Sequence, residues 1–175
     1  MKKTITSIVC AVGVILGIVA GTNHTLQTSS QGLAHIANLE GCRNNAYQCS
    51  AATWTNGIGH TTDVAKNSVI TNEQIAQNYI YDVAHAERVV NKYLQVKITQ
   101  AQFDILVSFV FNLGEGNFKR STLLKKMNKK QFISACKELY RWVYVNGKSC
   151  QNRVNNCYGL VTRRAIETNA CLNGW

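Results

Sequence analysis

LEGCRNNAYQCSAATWTNGIGHT, Leu39 to Thr61, is the stretch from which the rest of the chain is best read. It holds a single acid, Glu40, with no further acid until Asp63. Cys42 and Cys49 follow that acid closely, and a Thr-Asn-Gly-Ile-Gly-His turn runs from Thr55 to His60. Gly57 and Gly59 permit tight backbone turns that a side chain would hinder. Thr53, Trp54, Thr55 and Ile58 favour strand around them. The stretch therefore predicts a helix (LAHIANLE, Leu33–Glu40) ending on Glu40, then a small hairpin sheet, with the carboxyl pointing into a cleft.

Outward from there the pattern turns helical. Thr71 to Gln74 form a capping box that opens a helix with apolar residues at Ile75, Tyr79, Ile80, Val83, Ala84, Val90, Tyr93 and Leu94. Thr99 with Gln102 forms a second one. The helix it opens, Phe103 to Leu113, is apolar nearly all round, as a buried central helix is, and Gly114 stops it. A short basic helix over Ser121–Asn128, an amphipathic one over Gln131–Val145 carrying Trp142, a polar loop between Cys150 and Cys157, and a last helix over Gly159–Ala170 complete the chain. The fold class is α+β, mainly helical, with one small hairpin lobe.

Length suits one well-cored domain. Nineteen Lys plus Arg against nine Asp plus Glu give a net charge of +10, which favours an anionic partner: nucleic acid, an acidic membrane surface or an acidic polymer. The basic residues are dispersed and no nucleic-acid motif appears, so nucleic acid is not the expected partner. Seven cysteines without C-x2-C spacing argue against zinc, and His24, His35, His60 and His85 do not cluster with them in sequence. Neither metal nor cofactor is expected. Disulfides in an oxidising compartment fit better, and the odd count leaves a thiol free or exchanging.

Met1-Lys2-Lys3 gives the chain a positive start, and Ile5 to Gly21 is seventeen uncharged residues. That is short for a spanning helix, and Gly13, Gly17, Gly21, Ala11 and Ala20 dilute its apolar residues. A cleaved signal, a permanent anchor, and a segment that arrests in the membrane and later leaves it all fit. GTNHTLQTSSQG (Gly21–Gly32) is uncharged and reads as a flexible linker. The division is thus 1–21 membrane segment, 22–32 linker and 33–175 folded domain.

Glu40, eight residues, Cys49, five residues, Thr55, with Glu-Gly after the helix and Gly-His-Thr after the turn, resembles the active site of phage-type (T-even-like) lysozymes. The usual pattern there is Glu-x8-Asp-x5-Thr, and Cys49 stands where most members carry the aspartate. Gln100–Asn128 resembles the family's central helix and the short helix after it, and Gly159–Glu167 its C-terminal helix, so the likeness runs from about Leu33 to the end. The resemblance implies a small hairpin lobe and a larger helical lobe around an active-site cleft. It also implies a monomer that hydrolyses the β-1,4 linkage between N-acetylmuramic acid and N-acetylglucosamine in peptidoglycan, with inversion, for host-cell lysis. Glu40 is then the general acid. A group in that role must hold its proton near neutral pH, which partial burial favours. Thr55 positions the attacking water. Cys49 serves as base, electrostatic partner or water-holder, and a neutral thiol cannot supply the aspartate's charge. Arg163 and Arg164 offer a cation to the cleft by analogy, beside the plainer reading of solvated helix charges, while His60 reads as a packing and hydrogen-bonding residue of the turn.

The N-terminal segment resembles that of signal-arrest-release endolysins, which implies the host inner membrane, facing the periplasm, as first location and the periplasm after release. It also resembles the subgroup switched by disulfide isomerisation. There a Cys42–Cys49 bond holds the tethered form inactive, and the Cys10 thiol exchanges with it to free Cys49. A fixed structural disulfide with Cys10 incidental is the plainer alternative. Cys136, Cys150, Cys157 and Cys171 pair most simply as Cys150–Cys157 and Cys136–Cys171, though sequence allows three pairings. A lytic transglycosylase, or a non-catalytic cationic protein that disrupts wall or membrane, are the competing functions.

Overall fold

The computed structural model describes residues 10–48 and 53–175; Cys49 and the first nine residues lie outside them. The chain forms two compact units. One comprises the residues up to Leu26 and Leu33–Ala84; the other comprises Gln27–Gly32 and His85–Trp175.

The first unit holds helix α1 (Val12–Gly21), most of helix α2 (Ser30–Glu40), strands β1 (Arg43–Gln48) and β2 (Trp54–Gly57), and the first part of helix α3 (Asn72–Tyr93). In α1 the apolar residues are unevenly used: Ile15 and Val19, one turn apart, are buried, while Val14 is half exposed. Among the described residues no helix is long and apolar enough to cross a membrane. β1 and β2 pair antiparallel with Tyr47 opposite Thr55, and the ladder is irregular between Arg43 and Tyr47. Asn45 also bridges to Val69, so β1 is held on both edges. The predicted capping box opens α3: Thr71 Oγ1 accepts from the Gln74 backbone N–H, and Gln74 accepts from that of Thr71. Its inner stripe of Ile75, Ala76, Tyr79 and Val83 is buried, as the helical spacing requires.

The second unit is a helical bundle: α4 (Gln100–Arg120), α5 (Thr122–Asn128), α6 (Phe132–Lys137) and α7 (Gly159–Asn173), with α4 packed on α5 and α7 and α6 packed on α5 and α7. Ile105, Leu106, Val107 and Phe109 of α4 are fully buried, each worth about 1.5–3 kcal/mol over leaving it in water. Gly114 interrupts the helix, as predicted, with φ +78°, yet helical backbone resumes beyond it to Arg120.

The helix expected over Gln131–Val145 is much shorter. α6 ends at Lys137 and tightens into a 3-10 turn, Glu138–Arg141. The chain leaves the helix at Trp142, whose ring stands edge-on to Phe109 with centroids 5.0 Å apart. Beyond Trp142 the chain folds into a hairpin of β3 (Tyr144–Val145) and β4 (Lys148–Ser149), turned by Asn146 and Gly147 at φ +49° and +76°. That pair of positive φ angles is the tight hairpin turn that Asn-Gly favours.

Candidate active site

α2 ends on Glu40. The next residue, Gly41, takes φ +72° and its N–H reaches back to the Ala37 carbonyl at 3.0 Å, the stop a glycine provides most easily. Glu40 is half-buried, and beneath it lies Tyr79 of α3, 1 % exposed. The Tyr79 hydroxyl donates to the Leu33 carbonyl of α2 at 2.7 Å. Burial pushes the Tyr79 pKa up, and the nearby negative charge of Glu40 adds to the push, so at neutral pH it is a phenol and a donor. The sequence marks Tyr79 only as part of the apolar stripe; its link to Glu40 comes from the packing of α3 under α2.

The hairpin presents the remaining first-unit groups. Thr55 lies in β2 and is 3 % exposed; its hydroxyl donates to the Thr53 carbonyl at 3.2 Å. That leaves its oxygen lone pairs to accept from another molecule. The Asn56 and His60 backbones pair reciprocally at 3.0 Å around Gly57 and Gly59, both at positive φ. The His60 ring is buried against Asp82 of α3, Nδ1 to Oδ2 at 2.8 Å, which pins the turn to the helix. Asn44, also buried, donates from Nδ2 to the Ile70 carbonyl at 2.9 Å and holds β1 to the segment before α3. Neither Asp82 nor Asn44 is marked by any sequence motif.

Cys10 and Cys42 are joined by a disulfide, with α-carbons 5.5 Å apart. With Arg43 to Tyr47 they line a pocket of about 370 Å³, and the Arg43 guanidinium lies 4.5 Å from the centre of the Tyr47 ring. In the second unit Cys136 is bonded to Cys171 and Cys150 to Cys157.

Arg163 and Arg164 are not solvated. Both are buried on α7, and both bind the fully buried Glu167: Arg163 Nε at 3.0 Å, Arg164 through Nη1 to the other carboxylate oxygen. Arg163 also donates to Ser108, and Arg164 donates to the Trp142 carbonyl at 3.1 Å and to Asn112 at 2.6 Å. A buried carboxylate and its cations must be mutually satisfied in this way to be tolerated. Among the described residues no group of His, Cys, Asp and Glu is arranged to hold a metal ion.

Comparison with known proteins is consistent with this geometry. The family model for phage lysozyme matches residues 37–167. The endolysin of Acyrthosiphon pisum secondary endosymbiont phage 1 is 39% identical over 144 residues, 81% of this chain and 95% of that protein. The SAR-endolysin of Escherichia phage P1 is 31% identical over 95% of this chain and 92% of its own length. Among solved structures, the active form of P1 phage endolysin Lyz superposes with a TM-score of 0.84 at 30% identity, covering 95% of this chain and 96% of that one. The secreted inactive form of the same endolysin gives 0.56, over 84% of this chain and 96% of that one. The chain belongs to the phage lysozyme family, with that family's fold, and is a lysozyme-type enzyme.

Proposed function

We propose that the chain is a lytic endolysin that hydrolyses the β-1,4 bond between N-acetylmuramic acid and N-acetylglucosamine in peptidoglycan, with Glu40 as general acid and inversion at the sugar carbon. The supporting observation is the placement of Glu40 on the last turn of α2, next to the hairpin that carries Thr55. In an inverting reaction the acid gives its proton to the leaving glycosidic oxygen while water attacks from the opposite face. Thr55, its own proton engaged by Thr53, accepts a hydrogen bond from that water and turns a lone pair toward the carbon. The water's proton must leave as the new bond forms. Cys49, as thiolate, takes it or steadies the positive charge developing on the sugar.

The expected experiment is product analysis on purified peptidoglycan. Reducing ends with one water added, lost in Glu40→Gln, are the outcome of a muramidase. Anhydro-muramic ends would mean a lytic transglycosylase, and undiminished lysis by Glu40→Gln would mean a non-catalytic disruptor. Cys49→Asp restores the usual carboxylate of the family; it keeps activity if Cys49 works as a charge or base.

We further propose that residues 1–21 hold the chain in the host inner membrane until release, with Cys42 bonded to Cys49. On release the Cys10 thiolate attacks Cys42 Sγ, the Cys42–Cys49 bond breaks, and Cys49 leaves as thiolate, so no external oxidant is consumed. The Cys10–Cys42 bond and the higher similarity to the active than to the inactive form of P1 endolysin Lyz support this order.

A further inference from the structure

The segment read as a flexible linker ends in a clasp. Glu87 and Asp104, 4 % and 0 % exposed, between them take hold of three consecutive residues. Glu87 Oε1 accepts from the backbone N–H of Gln27 at 2.8 Å and of Thr28 at 2.7 Å, and from the Thr28 hydroxyl at 2.6 Å. Asp104 accepts from the backbone N–H of Ser29 at 3.0 Å and from its hydroxyl at 2.5 Å. It also accepts from Gln100 Nε2 at 2.8 Å and Trp175 Nε1 at 2.8 Å. Ser29 Oγ in turn accepts from the Gly32 N–H at 3.2 Å, capping the first turn of α2. There is no slack: a β-carbon on Gly32 would stand 2.7 Å from Asp104 Cγ and from Thr28 Cγ2.

Burying two carboxylates is costly unless donors satisfy them, and a solvated linker needs no such anchor. A helix whose far end must be placed to a fraction of an ångström does. α2 runs as one helix over its eleven residues, ~16 Å at 1.5 Å per residue, and its last residue is Glu40. We propose that Asp104, helped by Glu87, is a positioning residue for the reaction: it seats the start of α2 and so sets where the Glu40 carboxyl stands. This rests on the reading of Glu40 as the acid.

The test uses the full chain after release, soluble peptidoglycan fragments as substrate, and a temperature well below each variant's own Tm. Asp104→Asn turns one acceptor into a donor; kcat falls on the order of tenfold or more with KM within about twofold, the split expected when only the transition state loses an interaction. Ser29→Ala gives the same split, and Ser29→Thr, which restores the hydroxyl, recovers kcat. Folding of each is checked by its unfolding transition, and should Asp104→Asn not fold, the Ser29 pair decides. A lower Tm with unchanged kcat in both positions would overturn the proposal and leave a purely structural clasp. Glu40→Gln is run alongside. If it stays active, the assignment of the acid has failed; if it is dead while the clasp variants keep kcat, the positioning role alone has failed.

Discussion

Two disulfides close loops of nearly equal length and live in different surroundings. Cys10–Cys42 spans 32 residues and Cys136–Cys171 spans 35, so chain entropy alone would credit each with ~4 kcal/mol. Cys136 and Cys171 are 0 % and 2 % exposed, between helices α6 and α7, where no reagent reaches the sulfur. Cys10 and Cys42 are only half-buried and line an open pocket two residues beyond Glu40. The same covalent bond is thus enclosed in one place and open to solvent in the other. Accessibility, not loop length, separates them.

The comparison breaks most visibly on activity. Cys10→Ser, which cannot remake the first bond, is expected to leave the released chain inactive, whereas Cys171→Ser assayed at low temperature keeps native specific activity. Murein digestion at the native rate by Cys10→Ser would reduce the Cys10–Cys42 bond to a staple like the other. Stability gives the next largest effect. Replacing Cys136 and Cys171 together by alanine is expected to cost up to ~4 kcal/mol, read from the urea midpoint. A loss well under 1 kcal/mol would show that the surrounding helices hold the site without the bond.

The smallest effect separates the Cys136 staple from its neighbours. Glu138 is buried, and the hydrogen bond from Lys126 at 2.5 Å holds its carboxyl below the usual range, with the charge of Arg141 helping against the cost of burial. A depressed carboxylate stabilises the fold above its unfolded pKa of about 4.3 and loses that contribution as pH falls through the folded value. Glu138→Gln is therefore expected to lose on the order of 1 kcal/mol at pH 7, discounted for the exposed Arg141, and the gap to the native chain should narrow as pH falls past the unfolded value and close beneath the folded one. A gap independent of pH would assign the loss to packing.

Much of this was legible in the residues. The end of α2 at Glu40, both capping boxes and the Gly57–Gly59 hairpin are local features, fixed by a glycine's φ or by a side chain bonding three residues away, and a sequence displays them. The short hairpin at Asn146-Gly147 was also written locally, but its two-residue strands carry too little pattern to stand out from a polar loop. Trp142 ends its helix early because Phe109 and Arg164 claim its ring and its carbonyl, partners 33 and 22 residues away. Glu87 and Asp104 lie 59 and 75 residues from the groups they grip, so Gln27–Ser29 looked like slack chain. Of the proposed site, Glu40 and Thr55 stood out through the likeness to the family's pattern, while the contacts of Tyr79, Asn44 and Asp82 around them are tertiary and no motif records them.

Gly32 carries a consequence for anyone rebuilding this polypeptide. Helices in general reward alanine over glycine, so a stabilising redesign guided by propensity would include this position. Here the added methyl would collide with a carboxylate that four donors hold still. A saturation library scored by halo formation on murein plates is expected to return glycine at 32, and the most innocuous replacement in a designer's repertoire to be among the first discarded.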